Sequence, residues 1–301
     1  MTAPLVTVIC LCYNQKRFVR EAVESVINQT YTPIQLIVVD DASTDGSPET
    51  INQLKVQYPQ LEVLLLNENM GNCRAFNQGL AQAKGEYLID LAADDVLLPD
   101  RIRKGVEVLQ QAGDEFGVHF CDAELIDETG SFVNHHSDKY PHHTIPQGDI
   151  YVEVIQRYFI CPPTIMFRKS VMDKLGGYDE TLAYEDFDFW IRSSRQFKYS
   201  YTPQSFVKKR LVKYSLSSQQ EKIFNRHATS TYRVCKKIHD MNRTAAERRA
   251  FRKRILYEIR LNLKYLNVGL AMKYILLLLR NSCVQARTIS GYPHRKAYSG
   301  N

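Results

Sequence analysis

The chain has 301 residues, of which 44% are hydrophobic and 24% charged, proportions that are typical of a folded soluble protein and argue against a disordered or fibrous one. Its formal net charge of +6 is unevenly spread: residues 1–197 carry 16 lysines and arginines against 29 acidic residues, whereas residues 198–301 carry 23 against 4. This contrast, −13 against +19, indicates an acidic region with one task and a basic region with another.

Four short runs in the first 115 residues have the apolar, β-branched composition of strands that are buried on both faces. They cover residues 6–13, 36–41, 61–66 and 86–91. Helical patterns lie between them, one with Ser47 as its N-cap and Pro48 in its first turn, and one over residues 73–83. Because strands and helices alternate with short links, we predict right-handed βαβ units and a mostly parallel sheet with flanking helices.

After residue 115 the alternation becomes less regular. Residues 116–126 are predicted to form a strand, and the turn signal at 127–130 makes that strand the first arm of a hairpin. An amphipathic helix near 149–159 and a short strand within 161–169 are predicted to follow.

The C-terminal part is predicted to be helical and basic. Thr244 and Glu247 form a capping box, and the helix that it opens has one apolar side. That side carries Phe251, Ile255, Ile259, Leu263, Leu266 and Leu270. The sequence therefore predicts a basic helical region, residues 216–301, after an α/β domain of residues 1–215.

Two pairs of adjacent aspartates follow predicted strands, Asp40–Asp41 and Asp94–Asp95. Helix capping explains the second pair poorly, because Asp100 is better placed to cap the next helix. Ligands of open α/β sheets bind beyond the carboxyl ends of the parallel strands, so both pairs are expected at one site. Like charges converge only where a cation or hydrogen-bond donors compensate them, and oxygen ligands alone favour Mg²⁺ or Mn²⁺ with phosphate oxygens.

Two common nucleotide-binding motifs are missing. The chain has no G-x-x-x-x-G-K-[ST], which argues against a P-loop, and no G-x-G-x-x-G after its first strand, which argues against a dinucleotide-binding dehydrogenase.

Four ordered segments resemble the large family of inverting glycosyltransferases with the GT-A fold, glycosyltransferase family 2 and its relatives. They read VTVICLCYNQ, VVDDASTDGS, NENMGNCRAFNQGLAQAKGEYLIDLAADD and YEDFDFWIR. The resemblance covers about residues 4–215, and four matches in order are far more specific than one acid pair. It implies a Rossmann-like GT-A domain with a nucleotide-binding half over about 1–115 and an acceptor half over about 116–215.

The resemblance also implies roles for residues on the donor side. Tyr13 is expected to lie against the donor base, Asp41 to recognise the edge of that base and Asp94 to hold the ribose. Asp95 is expected to ligate a divalent metal ion, Mn²⁺ or Mg²⁺, that bridges the diphosphate.

On the other side, Asp186 matches the usual catalytic base, and Glu185 beside it is expected to share in acceptor binding. Asp188 in the same segment is a competing acid. In an inverting transfer one carboxylate accepts the proton of the acceptor hydroxyl, and a metal ion neutralises charge on the leaving phosphates. The separation of Asp95 from Asp186 in the chain is consistent with these two tasks.

Two positions depart from the family pattern. Phe76 precedes Asn77 where the family often has arginine, and Val212 stands where a histidine often contacts the metal or the diphosphate. The metal dependence of this protein is therefore open. Nearby basic residues could compensate for the missing histidine, namely Lys208, Lys209, Arg210 and Lys213.

The sequence thus predicts a metal-assisted glycosyltransferase whose donor is a nucleotide sugar. A UDP-linked sugar is the favoured donor, and the predicted acceptor is a cell-surface glycan or its lipid-linked precursor. A sugar nucleotidyltransferase, or a catalytically silent protein that docks on membrane or nucleic acid, is the alternative. The basic tail favours contact with an anionic membrane surface, and no motif predicts nucleic-acid binding.

The location that the sequence predicts is cytoplasmic, with peripheral contact at the inner face of a membrane. The first residues lack the positive segment of a signal peptide, and the apolar run 268–279 is too short to span a bilayer. The seven cysteines contain no C-x-x-C pair and are expected to be reduced thiols.

Overall fold

The computed structural model describes residues 3–140, 145–213 and 226–290, with residues 282–290 described by their backbone alone. Within this part the chain forms one nine-stranded sheet with helices on its faces. The strands are β1 (Val6–Cys12), β2 (Ile34–Asp40), β3 (Glu62–Leu65), β4 (Tyr87–Ala92), β5 (Val96–Leu97), β6 (Phe116–Ile126), β7 (Phe132–His135), β8 (Met166–Arg168) and β9 (Lys198–Arg210). The helices are α1 (Val19–Ile27), α2 (Ser47–Gln57), α3 (Asn72–Leu80), α4 (Arg101–Ala112), α5 (Tyr151–Gln156), α6 (Lys169–Leu175), α7 (Asp186–Ser194), α8 (Arg226–Met241), α9 (Ala245–Lys264) and α10 (Val268–Ser290).

The first half of the sheet is parallel, as predicted. Its strands lie in the order β3-β2-β1-β4, and α1, α2 and α3 connect them. The side chains of β1 and β2 are almost all buried because helices cover both faces of this half, which explains their unbroken apolar runs. The predicted α/β class is therefore confirmed.

The second half of the sheet is mixed. β8 pairs antiparallel with β4 and β6, whereas β9 runs parallel to β6 and then pairs antiparallel with the short strand β5. β7 is the second arm of the predicted hairpin with β6. The end of β9 consequently lies beside the segment that follows β4, which brings a basic strand next to Asp94 and Asp95.

Two predicted helix caps differ from the structure. α2 begins at Ser47, and Gly46, with a φ of 89°, occupies the N-cap position; the Ser47 hydroxyl instead donates to Asp45 at 2.5 Å. Asp100 does occupy the N-cap position of α4, but its carboxylate accepts from Thr30 at 2.6 Å and makes no side-chain bond to a helix N–H.

The capping box of α9 is confirmed: the Thr244 hydroxyl accepts from the N–H of Glu247 at 3.2 Å, and the Glu247 carboxylate accepts from the N–H of Thr244 at 3.1 Å. The prediction of one helix from the capping box through Leu270 is wrong, because α9 ends at Lys264 and α10 begins after a turn in which Leu266 has a φ of 55°. Leu263 and Leu266 are consequently exposed, while Phe251 and Ile255 are buried.

The C-terminal helices share a hydrophobic core with the second half of the sheet. Val234 and Ile238 of α8 and Phe251 of α9 belong to the same buried cluster as Phe187 of α7. The predicted domain boundary at residues 215–216 lies outside the described residues. No helix of the described part is both long and apolar enough to cross a membrane, and the six cysteines with described side chains are unpaired and buried.

Candidate active site

A cleft of about 1880 Å³ opens at the carboxyl ends of β1, β2 and β4 and reaches the start of α7. It is lined by every residue to which the motifs assign a role: Tyr13, Asp41, Asp94, Asp95, Glu185 and Asp186. Residues that are far apart in the chain therefore contribute to one cavity, at the sheet edge where ligands of α/β folds bind.

Tyr13 follows β1 at this edge. Cys12 pairs with Asp40 across β1 and β2, so Tyr13 and Asp41 leave the sheet at the same level. The side chain of Tyr13 is 49% exposed and forms part of the cleft wall. A half-exposed ring in this position can stack on a planar ligand.

Asp41 anchors the loop in front of α3. Its two carboxylate oxygens accept the backbone N–H groups of Met70 and Gly71 at 2.7 and 2.9 Å, and the side chain is buried. Because each carboxylate oxygen has about two acceptor positions, Asp41 can still accept a bond from a ligand.

Asp94 and Asp95 are held by the last residue of β9. The backbone N–H of Arg210 donates to Oδ1 of Asp95 at 2.8 Å, and the Arg210 Nε donates to the carbonyl of Asp94 at 3.0 Å. The same guanidinium pairs with Glu21 at 2.6 Å and lies over the ring of Phe18. Arg210 therefore fixes the turn that presents the two aspartates.

The positive charges near the two aspartates do not offset the effect of their burial. Burial and then Asp94 raise the pKa of Asp95 to about 8, against the lowering influence of Lys209 and Arg210. Burial also raises the pKa of Asp94. A further cation in the cleft would stabilise the charged form of this pair.

Lys209 shares the cleft with these acids. Burial lowers the pKa of Lys209, but Cys161, Asp95 and Asp186 outweigh that influence, and the net shift is upward. The preceding Lys208 does not line the cleft, because successive side chains of a strand point to opposite faces. Lys209 is thus a charged ammonium group that lines the same cleft as the aspartate pair and the start of α7.

The end of the cleft that holds Asp94 and Asp95 has the chemistry of a Mg²⁺ or Mn²⁺ site. Asp94 and Asp95 supply hard carboxylate oxygens, and such ions complete their shells with phosphate oxygens and water. Val212 lines the cleft at the position of the family histidine and offers no ligand. Among the residues that the structure describes, no group of three or more His, Cys, Asp or Glu converges to hold a metal ion by itself.

Asp186 is the first residue of α7 and lies in the cleft beside Glu185. Asn72, at the start of α3, donates to Oε2 of Glu185 at 2.5 Å and so orients this carboxylate. Burial and then Glu185 raise the pKa of Asp186 well above its usual value, although Lys209 lowers it. A carboxylate with a raised pKa is suited to accept a proton.

Asp90 is a cleft residue that the motifs did not indicate. It lies within β4 and accepts a hydrogen bond from the hydroxyl of Tyr178 at 3.0 Å. Burial and then Glu185 raise the pKa of Asp90 well above its usual value. A charged residue inside the otherwise apolar strand β4 was the signal that could have identified it.

Asp188, the competing acid of the same helix, does not line the cleft. It is buried and forms ion pairs with Arg192 at 2.6 Å and with Lys237 at 2.5 Å. Lys237 also pairs with Asp179 at 2.6 Å, on the loop that leads to α7. Asp188 therefore connects α7 to α8 and has a structural task.

The departure at Phe76 has a packing explanation. Phe76 is buried, and its ring centre lies 4.3 Å from that of Tyr178. Asn77 exchanges two hydrogen bonds with the backbone of Tyr178, both at 3.0 Å. Arg74 is the basic side chain of α3 that lines the cleft, where it lies 3.7 Å from Glu180.

Comparison with known sequences found a matching family profile and related proteins. The family profile described as "Glycosyl transferase family 2" matches residues 7–176. An uncharacterized glycosyltransferase of Rickettsia prowazekii is 30% identical over 212 residues, which cover 69% of this chain and 64% of that protein. The matched part thus spans less than two thirds of that relative. The putative teichuronic acid biosynthesis glycosyltransferase TuaG of Bacillus subtilis is 26% identical over 242 residues, covering 80% of this chain and 92% of the relative.

Two solved structures have the same fold at low sequence identity. S. aureus TarS in complex with UDP-GlcNAc superposes with a TM-score of 0.65 at 16% identity, over 83% of this chain and 71% of that one. The mannosyltransferase PcManGT of Pyrobaculum calidifontis, in complex with GDP-Man and Mn²⁺, superposes with a TM-score of 0.61 at 18% identity, over 96% of this chain and 81% of that one.

Proposed function

The chain belongs to glycosyltransferase family 2 and has the GT-A fold, and on that basis we propose that it transfers a sugar from a nucleotide-sugar donor to an acceptor hydroxyl with inversion at the anomeric carbon. The observation that supports this most is the convergence of Asp94–Asp95 and Glu185–Asp186 on one cleft. The two acidic sites match the two needs of the reaction, a cation-binding point at the leaving group and a proton acceptor at the nucleophile.

We propose a UDP-linked donor held at the ends of β1, β2 and β4. Tyr13 would lie against the base, Asp41 would accept a hydrogen bond from its edge, and Asp94 would bind the ribose. The half-exposed ring of Tyr13 and its position level with Asp41 support this arrangement. TarS was solved with UDP-GlcNAc and PcManGT with GDP-Man, so an experiment has to choose between the two nucleotides.

In the proposed step, Asp186 accepts the proton of the acceptor hydroxyl as its oxygen forms a bond to the anomeric carbon. The bond between that carbon and the diphosphate oxygen breaks, and the electron pair leaves with the nucleoside diphosphate. The raised pKa of Asp186 supports its role as base, since a more basic carboxylate accepts a proton more readily. Glu185, oriented by Asn72, would position the acceptor.

Asp95, with Asp94 beside it, would hold Mn²⁺ or Mg²⁺, which when bound neutralises negative charge that develops on the leaving diphosphate. Lys209 would share this task, because its ammonium group lies in the same cleft and its pKa is raised. The basic strand β9 thus offers a compensation for Val212.

We propose that the acceptor is a growing glycan or its lipid-linked precursor. The name of TuaG assigns that relative to teichuronic acid biosynthesis, which supports a polysaccharide product. The acceptor would enter beside Glu185, where the cleft is also lined by residues of α8 such as Ser230 and Arg233.

The two alternative functions fit the cleft less well. A sugar nucleotidyltransferase usually has a glycine-rich loop after the first strand, and residues 13–18 contain no glycine. A silent protein that docks through its basic tail has no use for several buried acids in its cleft, and burying them costs stability, as their raised pKa values indicate.

A panel of UDP- and GDP-linked sugars, each with and without Mn²⁺ or Mg²⁺, tests the proposal. We expect one UDP-sugar to raise the melting temperature more with metal than without, and to be hydrolysed slowly to UDP. If no nucleotide sugar stabilises the protein, the donor site is wrong. Release of pyrophosphate from UTP and a sugar phosphate would instead identify a nucleotidyltransferase.

A further inference from the structure

Helix α10 has apolar side chains on two of its sides, and one of these sides is packed inside the protein. Leu270, Tyr274 and Leu277 recur at helical spacing and are buried in the core that α10 shares with α8 and α9. This side accounts for the attachment of α10 to the rest of the fold.

The second apolar side faces outward, and we call it the outer stripe of α10. It consists of Val268, Met272, Leu276 and Leu279, which are 56%, 51%, 54% and 58% exposed. With 3.6 residues per turn, these four positions fall within an arc of about 80°. Within the part of the chain that the structure describes, no element covers this stripe.

Two basic residues accompany the outer stripe along one edge. Lys273 follows Met272 and Arg280 follows Leu279, and both side chains are exposed. Each therefore lies about 100° around the helix from its apolar neighbour, between the stripe and the buried side. The helix thus has positive charges at two positions along one edge of the outer stripe.

We propose that the outer stripe of α10 binds the surface of an anionic lipid bilayer, with the helix lying parallel to the membrane plane. Helices that bind in this way place an apolar face among the acyl chains and basic residues among the anionic headgroups. The charge of the region agrees, because residues 198–301 carry 23 lysines and arginines against 4 acidic residues. None of the described helices is long and apolar enough to cross a bilayer.

The flanking charge favours a membrane over a second copy of the chain as the occupant. If two copies packed stripe against stripe in antiparallel orientation, the basic edges with Lys273 and Arg280 would lie on the same side of the interface, and like charges there oppose association. An anionic headgroup layer pairs with the same residues favourably. The proposal is independent of the reaction at the cleft, since it concerns the opposite end of the chain and has its own readout.

Sedimentation of the full chain with vesicles tests the proposal. The vesicles contain phosphatidylcholine alone or phosphatidylcholine mixed with phosphatidylglycerol. We expect binding to the anionic vesicles and little binding to the neutral ones. Point variants are preferable to truncation, because α9 contributes Phe251 and Ile255 to the core and its removal would unfold the protein.

The double variant Met272→Glu with Leu276→Glu should lower the vesicle partition coefficient at least about tenfold, because it removes apolar contact and adds negative charge. The matched control is Val56→Glu with Val133→Glu, which adds the same charge at two exposed apolar positions outside the C-terminal region, 82% and 51% exposed. This control should bind nearly as well as the wild type.

A second variant, Lys273→Gln with Arg280→Gln, keeps the test valid if the glutamate variant unfolds. It should weaken binding about fivefold for each charge removed. The proposal is overturned if the wild type does not bind anionic vesicles at low ionic strength, or if neither stripe variant binds less tightly than the control. A dimer in sedimentation velocity that the stripe variants abolish, without any vesicle binding, would assign the stripe to a second copy and overturn it as well.

Discussion

The cleft and the C-terminal helices each contain a deeply buried acid, and the protein stabilises the charged forms of these two acids to very different extents. Asp95 is 4% exposed and its pKa is raised to about 8, first by burial and then by Asp94. Glu247 is 6% exposed, and although burial alone would raise its pKa, hydrogen bonds from Arg195 and from backbone N–H groups lower it to about 2. Burial by itself therefore does not determine the state of an acid; its partners do.

The partners of Glu247 are complete within the protein. Arg195 donates to both of its carboxylate oxygens, at 2.9 and 3.0 Å, and the N–H of Thr244 donates at 3.1 Å. Arg195 follows α7, the helix that begins with Asp186, so this contact attaches the C-terminal helices to the element that carries the proposed base. Asp95, by contrast, accepts the backbone N–H of Arg210, and the positive charges near it do not offset its burial.

Removing the proposed base should have the largest effect. Asp186→Asn is expected to lower the rate of sugar transfer by a factor of about 10² to 10⁴, because an amide cannot accept the hydroxyl proton. UDP binding, measured by calorimetry, should stay within about twofold of the wild type, since the base acts on the acceptor. A variant that keeps most of its transfer activity would remove Asp186 from the mechanism.

The control for this variant is Asp188→Asn, two residues along the same helix. Asp188 pairs with Arg192 and Lys237 outside the cleft, so its loss should lower the melting temperature. The folded fraction should still transfer sugar. The two substitutions thus compare the proposed base with an acid whose charge is already paired within the protein.

Asp95→Asn tests whether the cleft acids are completed by a metal ion. In the wild-type protein we expect UDP to bind more tightly when Mn²⁺ or Mg²⁺ is present, and the variant should lose about a hundredfold of this metal-dependent gain. The measurement is calorimetry with UDP, with and without the ion. If metal changes UDP affinity in neither protein, the assignment of Asp95 to a metal is wrong.

Glu247→Gln tests the acid that the protein itself neutralises. At pH 7 the variant should unfold at a lower urea concentration, with a loss of about 2 kcal/mol in the free energy of unfolding. The stabilisation from a lowered pKa is complete above the ordinary value of 4.5 and is lost as the pH falls towards about 2. The difference between wild type and variant should therefore shrink below pH 4.5, and a difference that does not depend on pH would contradict the ion-pair explanation.

Lys209→Met should have the smallest effect, a loss of about tenfold in UDP affinity, because one positive charge leaves the cleft. Lys208→Met is the matched control, since it removes the same charge from the neighbouring position of β9, which does not line the cleft. Equal losses in the two variants would show that the net charge of β9 matters and the position of Lys209 does not.

Much of the fold could be predicted because its information is local. β1, β2, β3 and β4 are short apolar runs, and the short links between strands and helices leave a parallel arrangement as the main solution. The acid pairs could be located for the same reason, since a residue that follows a parallel strand reaches the sheet edge whatever the rest of the chain does.

The features that the sequence does not predict correctly depend on contacts with residues that are distant in the chain. The predicted apolar side of α9 continued through Leu266, but the turn at that residue reverses the chain so that α10 can pack on α9 and α8. The sequence marks Asp90 only as one acid in an apolar strand, and its place in the cleft depends on contacts with Tyr178 and Glu185.

The sequence by itself determined the fold class, the family and the strand ends at which the acids lie, because hydrophobic period and motif order are properties of short segments. Only the tertiary structure decided which charges are neutralised. Arg210 donates its backbone N–H to Asp95, Lys209 lines the cleft, and Asp188 lies outside the cleft in an ion pair with Lys237. These placements depend on residues that are distant in the chain. Burial and charge pairing are properties of the packed molecule, and no local pattern encodes them.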